Sequence, residues 1–230
     1  MLVSKAVAIG SSMRISKLLQ KTYRKVHRFF LRRKLKNTNF TLLAPTCIAG
    51  VMYHELGQPF LSPTINLWMY DKDFLRFVHN LRHYLSCELR FVQDIDETPT
   101  AYLDDILIHF NHYHTEEEAA AKWYERAKRV NYDNLYIIMA DQPDGGIITH
   151  EDMLSLKDIP CRGRAVLTVK EYDDMDYLVH LPKDPVKDCV NMYMFDKSPI
   201  LGRYRWERVW DYVGWLNEAS PRPLRRKGRR

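Results

Sequence analysis

Only four of the 230 residues are cysteine, at irregular spacings. That excludes a disulfide scaffold or a zinc-finger spacing and leads us to expect a reducing compartment. No apolar run approaches the roughly 18 residues that a membrane span needs. The stretch Ala6 to Ile9 is too short for the apolar core of a secretory signal. GxGxxG and P-loop patterns are absent, so the two commonest phosphate-cradling loops are excluded. There is no internal repeat. With 46% hydrophobic and 28% charged residues, wholesale disorder is excluded as well.

Acidic residues are missing from both ends. Met1 to Lys36 carries 11 Lys/Arg and no Asp or Glu, and six further Lys/Arg follow Glu218. Removing these from the 35 bases leaves 18 against all 29 acids, a net of −11. The overall +6 is therefore the sum of an acidic body and two basic ends. Three regions are expected: a basic amphipathic N-terminal helix over 1–36, an α/β domain with room for two subdomains over 37–218, and a disordered basic tail over 219–230.

Within the first region Ile15, Leu18, Leu19, Thr22, Val26, Phe29 and Phe30 recur at helical steps, with Arg14, Lys17, Lys21, Arg24, Lys25, Arg28, Arg32 and Arg33 between them. Such a helix either packs its basic face on the acidic body or lies on an anionic membrane surface through residues 14–36. Nucleic acid is the least favoured partner, because the body is acidic and no recognition motif is present. The expected location is cytoplasmic, peripheral to the inner membrane in the second case.

The body alternates strand and helix signals. Phe40 to Pro45 reads as a strand and Ala49 to Leu56 as a helix ended by Gly57. Asp71 to Leu85 reads as one amphipathic helix, Leu89 to Gln93 as a strand and Ala101 to Phe110 as a longer one. Thr115 to Val130 is a helix opened by a Thr115/Glu118 capping box. Leu135 to Ala140 is an apolar run suited to a strand covered on both faces, and Thr149/Asp152 opens another helix. Ala165 to Val169, Leu178 to Leu181 and Asn191 to Phe195 read as strands, and Trp206 to Leu216 as a helix. The expected fold is α/β, a largely parallel sheet with flanking helices in Rossmann-like layers.

Ligands of such sheets bind at the carboxyl ends of strands. Cys47 follows the first strand near a helix N-terminus, which suits a nucleophilic thiol or an anion-binding turn; a buried structural cysteine is the competing reading. Gly50 permits close approach, and His54, Ser62 and Asn66 offer polar groups nearby. If Ala101 to Phe110 is one alternating strand, Asp105 and His109 share a face and form an orienting acid–imidazole pair; the alternative is a hydrogen-bonded rim. Asp104 lies beside them. His112 and His114 follow, placed for acid–base or metal work without a recognisable third ligand. Asp141 ends an apolar strand, either facing a ligand or capping a turn. No metal site and no cofactor is expected. The aromatic C-terminal helix reads as core rather than a sugar-stacking platform.

Several of these segments occur in a familiar order. Asn39-Phe40-Thr41-Leu42-Leu43, Cys47-Ile48-Ala49-Gly50, Tyr53-His54, Leu56-Gly57, Ser62-Pro63 and Asn66 come first. Tyr102-Leu103-Asp104-Asp105-Ile106 and Ile108-His109-Phe110-Asn111-His112-Tyr113 follow, then Trp123, Arg126, Arg129 and Asn131. Over roughly residues 24–217 this resembles a bacterial domain-of-unknown-function family whose members are often labelled exopolysaccharide biosynthesis proteins. The resemblance implies a transferase, glycosyl- or acyl-type, in exopolysaccharide or capsule biosynthesis. Its substrate would be an activated sugar or glycan. Read from the residues themselves, Cys47 is expected to act as nucleophile, with His109 as base and Asp105 orienting it, or equally to line an anion pocket, and Gly50, His54, Ser62, Asn66, Asp104, His112 and Asp141 are expected to contact substrate. A non-catalytic component of a polysaccharide assembly complex is the alternative.

Overall fold

The computed structural model describes residues 2–92, 98–141, 148–181 and 203–220, with side chains from residue 18 onward. The expected strand over Asn191 to Phe195 and the basic tail from residue 221 lie outside these. The elements are α1 (Leu2–Lys34), β1 (Thr41–Leu43), α2 (Ile48–Leu56), β2 (Trp68–Met69), α3 (Asp71–His79), α4 (Leu81–Ser86), β3 (Leu89–Val92), β4 (Thr100–Leu103), β5 (Ile106–His109), α5 (Glu116–Ala127), β6 (Leu135–Ala140), α6 (His150–Ser155), β7 (Gly163–Thr168), β8 (Leu178–His180) and α7 (Tyr212–Glu218). No helix among the described residues is long and apolar enough to cross a membrane.

The fold is mixed α/β, with two sheets. One is parallel, in the order β1-β6-β7-β8. Among the described residues these strands cross the sheet in chain order, without the reversal that creates the ligand crevice of a doubly wound sheet. The other is antiparallel, in the order β2-β5-β4-β3, and all of it lies in the chain between β1 and β6. Alternation along the parallel strands separates two cores. Leu43, Ile137, Met139 and Val166 face the antiparallel sheet and α3, α5 and α6. Leu42, Ala44, Tyr136, Ile138, Ala140 and Leu167 face α2 and α7. Burial on both faces explains the uninterrupted apolar run of β6.

The expected long strand over Ala101 to Phe110 is instead a hairpin. Leu103 pairs with Ile106 across a two-residue turn, and Asp104 sits in the left-handed region at φ +58°, which a short polar side chain tolerates better than most. Asp71 to Leu85 divides at Asn80 into α3 and α4, and the C-terminal helix is shortened to α7 after a 3-10 turn at Trp206–Arg208. Gly57 ends α2 in a left-handed cap, its N–H donating to His54 C=O. Thr149 and Asp152 form a complete capping box. At α5 the Thr115 hydroxyl accepts from Glu118 N–H as expected, but the Glu118 carboxylate accepts from His114 N–H instead of returning to Thr115.

Among the described residues β1 is an edge strand, and edges need covering. Tyr53 Oη accepts from Leu42 N–H (3.0 Å) and donates to Phe40 C=O (2.8 Å). Ala44 N–H donates to Thr64 Oγ1 (3.1 Å), and Pro45 C=O accepts from Met69 N–H (3.0 Å).

α1 docks through its charges. Arg28 grips Glu55 of α2 with two bonds of 2.9 Å. Arg24 reaches Glu55 (2.5 Å) and Glu207 (2.8 Å) together, and His27 lies 3.7 Å from Glu207. Both glutamates are buried. Burial opposes their charge, but the bonds from Arg28 and Arg24 outweigh it at Glu55, and those from His27 and Arg24 at Glu207. Both carboxyls end below the usual range. Leu18, Leu19, Val26, Phe29 and Phe30, on the opposite side of α1, are each more than half exposed.

Removing Arg24 should leave buried Glu55 to Arg28 alone and take from buried Glu207 its guanidinium partner. Arg24→Ala is expected to lower the unfolding free energy in urea by about 3 kcal/mol. Arg24→Met combined with Glu55→Gln and Glu207→Gln should recover much of that loss. A cost for Arg24→Ala below about 1 kcal/mol would show a solvent-screened surface cluster instead.

Candidate functional site

Cys47 leaves the carboxyl end of β1 and occupies the N-cap of α2 without making a side-chain cap bond. Its thiol is free to turn elsewhere, and Sγ lies 3.4 Å from His112 Nε2. That imidazole comes from the antiparallel sheet, three residues past the end of β5. The pair therefore joins the mouths of the two sheets. Burial pushes the Cys47 thiol up, with only its own backbone N–H opposing, so at rest it is protonated and awaits a base. Next to it the buried Thr46 Oγ1 has no hydrogen-bond partner among the described residues, and such groups are rare enough to require an explanation.

A clamp behind the pair holds it in place. Tyr113, directly after His112, donates from Oη to Ile65 C=O (3.0 Å). Arg126 of α5 donates to the same carbonyl (3.2 Å) and to Tyr113 Oη (2.5 Å). The clamped carbonyl precedes Asn66, which is left-handed at φ +64° and whose Oδ1 would lie 3.9 Å from a Cβ built on Gly50. Thus Cys47, Gly50, Asn66 and His112 form one locus. Tyr113 and Arg126 stand among the motifs that carry the family resemblance, but sequence reasoning assigned them no place at the candidate site. The signal was a buried-type Tyr adjoining His112, but its partner in α5 is a long-range contact.

The other expected residues lie elsewhere. Asp105 and His109 do not share a face, because the hairpin turn puts Asp105 before β5 and His109 at its far end, about 13 Å away at strand rise. His109 is buried, stacked on Trp68 at 3.9 Å and 3.4 Å from Thr100 Oγ1. Asp105 accepts from Tyr84 Oη (2.7 Å) and from Arg76 (3.1 Å); these bonds, that from Tyr84 foremost, hold its carboxyl low. Ser62 is buried and bonded to Thr64 (3.1 Å), so it braces the cover of β1. His54 is exposed at the opposite end of α2, its carbonyl taken by Arg32. Asp104 bonds His83. His112 and His114 lie in the turn before α5, not on a strand, and do not chelate as a strand pair. Asp141 follows β6, the neighbour of β1, and binds Thr168 Oγ1 (3.1 Å) and Lys170 Nζ (3.2 Å). It stands at the same sheet edge as Cys47.

A cavity of about 610 Å³ lined by Lys72, Arg76, His79 and Ser155 is less well equipped. Lys72 is bound to Asp152, Arg76 to Asp73 and Asp105, and His79 to Ser155.

A family model described as Domain of unknown function (DUF1919) matches residues 18–217. The chain belongs to this family. It is also 36% identical over 199 residues to an uncharacterized protein of Haemophilus influenzae, an alignment covering 85% of this chain and 94% of that relative. The matched span runs from the docked half of α1 to α7, so it includes the arginine lock, both sheets and the Cys47–His112 pair.

The raised thiol pKa fixes how Cys47 should react. Alkylation by iodoacetamide at pH 7, followed at the Cys47 peptide, should be slower than for a free cysteine. Its rate should still be climbing above the ordinary thiol pKa of about 8.5, because the thiolate is reached only there. A flat profile from pH 5 to 8 would mean a preformed thiolate–imidazolium pair.

Proposed function

We propose that this chain is an acyl-type transferase that uses Cys47 as nucleophile and acts on a surface-glycan precursor at a membrane surface. The observation that carries the reaction type is the 3.4 Å approach of Cys47 Sγ to His112 Nε2. His112 takes the base role first given to His109. Thiol–imidazole pairs split acyl transfer into two easier steps. His112 Nε2 takes the Sγ proton as sulfur attacks the carbonyl of an activated acyl donor such as a thioester. The tetrahedral intermediate expels the donor's thiol, which receives that proton from His112, and leaves an acyl-Cys47 thioester. A sugar hydroxyl then attacks the thioester, giving its proton to His112, which returns it to the departing Sγ. Asn66 and the unpartnered Thr46 hydroxyl are placed for polar contacts to substrate. The thiol–imidazole pair does not favour the glycosyl-type alternative, and Asp105, expected to orient the base, is committed to Tyr84 and Arg76.

The polysaccharide setting rests on the sequence resemblance. The membrane setting is supported by α1. With its arginines turned inward, Leu18, Leu19, Val26, Phe29 and Phe30 remain exposed, accompanied by the exposed Lys21, Lys25 and Arg33. An apolar stripe flanked by cations suits an anionic bilayer surface. The non-catalytic assembly role is favoured by one feature, the burial that pushes the Cys47 thiol pKa up and disfavours the thiolate.

Incubation with short-chain acyl thioesters should add one acyl mass to Cys47, labile to hydroxylamine. Cys47→Ala should abolish it, and His112→Ala should slow transfer by about 10²–10⁴-fold. No adduct with any donor, together with wild-type glycan yield from Cys47→Ala in a deletion strain, would leave the assembly role. Co-sedimentation with anionic vesicles tests the second element. Phe29→Ser/Phe30→Ser should weaken binding at least about tenfold, given roughly 1.5–3 kcal/mol per buried aromatic. Unchanged binding, or none by the intact chain, removes the membrane role.

A further inference from the structure

Away from Cys47, the tip of the β4–β5 hairpin meets the end of α4. His83 lies on α4, and Cys87, four residues on, is its extended C-cap. That spacing puts both side chains on one side of the helix end. Leu89 of β3 pairs with Leu103 of β4, which brings the residues just before β3 alongside those just after β4. Asp104 arrives there from the turn. Its Oδ2 is 2.8 Å from His83 Nε2, and Cys87 Sγ is 3.7 Å from the same nitrogen. One nitrogen, one sulfur and one oxygen all lie within 4.8 Å of one another.

We propose that His83, Cys87 and Asp104 form a divalent-metal site suited to Zn²⁺. Tetrahedral Zn²⁺, with ligand distances of about 2.0–2.3 Å, needs ligand atoms about 3.3–3.6 Å apart. The two shorter separations bracket that range, and the third, from Cys87 Sγ to the Asp104 carboxylate, is within 4.8 Å, so side-chain rotation has at most about 1.5 Å to close there. The donor set selects the class: Ca²⁺ and Mg²⁺ require oxygen cages, whereas imidazole with thiolate suits Zn²⁺. The frame is rigid. Arg90 donates to Asp104 C=O (3.0 Å), Tyr84 and Arg76 hold the neighbouring Asp105, and Cys87 N–H donates to Tyr84 C=O (3.1 Å). The hairpin tip is thereby tied to α4 from both sides, and the left-handed backbone at Asp104 is held by the same bonds. Three protein ligands leave a fourth position open to water or another small ligand, as in zinc sites that bind or activate a small molecule. The site shares no residue with the thiol locus, so either can fail without the other.

Co²⁺ titration of the reduced full-length chain is the test. Co²⁺ should bind with a thiolate-to-cobalt absorption band and be displaced by Zn²⁺. Cys87→Ser should abolish the band, while Cys47→Ser, Cys161→Ser and Cys189→Ser should keep it. Losing even an outer partner of a metal ligand costs on the order of tenfold in affinity. His83→Ala and Asp104→Asn should therefore each weaken Zn²⁺ by at least about that factor; Asn tolerates the left-handed turn, which keeps the hairpin intact. No thiolate band in the wild type, a band that survives Cys87→Ser, or unchanged Zn²⁺ affinity in both other variants would overturn the site.

Discussion

Two buried glutamates set the terms for the rest of the molecule. Glu55 is 2% exposed and Glu207 1%, and a carboxylate in such surroundings costs several kcal/mol unless it is paired and bonded. One comes from α2, beside the site; the other from the turn leading to α7. Among the described residues α1 supplies the answering charge, through Arg24, His27 and Arg28. The helix therefore cannot dock by its apolar stripe. Burying Phe29 and Phe30 against the body would turn the arginines to solvent and leave both glutamates uncompensated. The exposed apolar ridge follows from the electrostatics of the opposite side.

The same logic explains which parts of the fold were legible in sequence. Local signals read true: the apolar run of β6, the stop at Gly57 and the Thr149/Asp152 box each record one segment's own physics. The hairpin did not read true. A two-residue turn preserves alternation, so Leu103, Asp105, Leu107 and His109 look like one face of one strand. The dipeptide Asp104-Asp105 also lacks the glycine that marks a tight hairpin. With that turn unseen, Asp105 and His109 were joined although they lie at opposite ends of β5, and the antiparallel sheet was folded into a single parallel one.

Of the candidate site, Cys47, Gly50, Asn66 and His112 were legible as residues, but the pairing of thiol to imidazole was not. His109 and His112 differ by only three positions. The backbone reversal between them sends one ring against Trp68 and the other to Cys47. What selects His112 is the Tyr113–Arg126 clamp on Ile65 C=O, a contact between three segments that no local pattern records. The buried glutamates had left a trace. Glu55 stands in a helix whose neighbours Met52, Tyr53 and Leu56 are all core residues, a placement that demands a cation from elsewhere, while the acid-free first 36 residues offered one.

α2 ties these strands of argument together. It is nine residues long, about 14 Å at helical rise. Cys47 caps its N-terminus, and Glu55 in its last turn carries the arginine lock. Gly57 ends it in the left-handed region, and a Cβ there would meet the Arg32 side chain at 2.8 Å, so α1 also presses on the cap. Along its length Tyr53 covers the free edge of β1. A single short helix thus fixes the thiol relative to the sheet edge at one end and relative to α1 at the other. A surface that received Phe29 and Phe30 would be held at a set distance and orientation from Cys47. For an enzyme whose acceptor sits in a bilayer, that rigidity would replace a flexible tether with a fixed approach. The docked arginines then serve position more than stability, since an apolar pair of the same size would stabilise the fold as well but would let the helix settle on its greasier side.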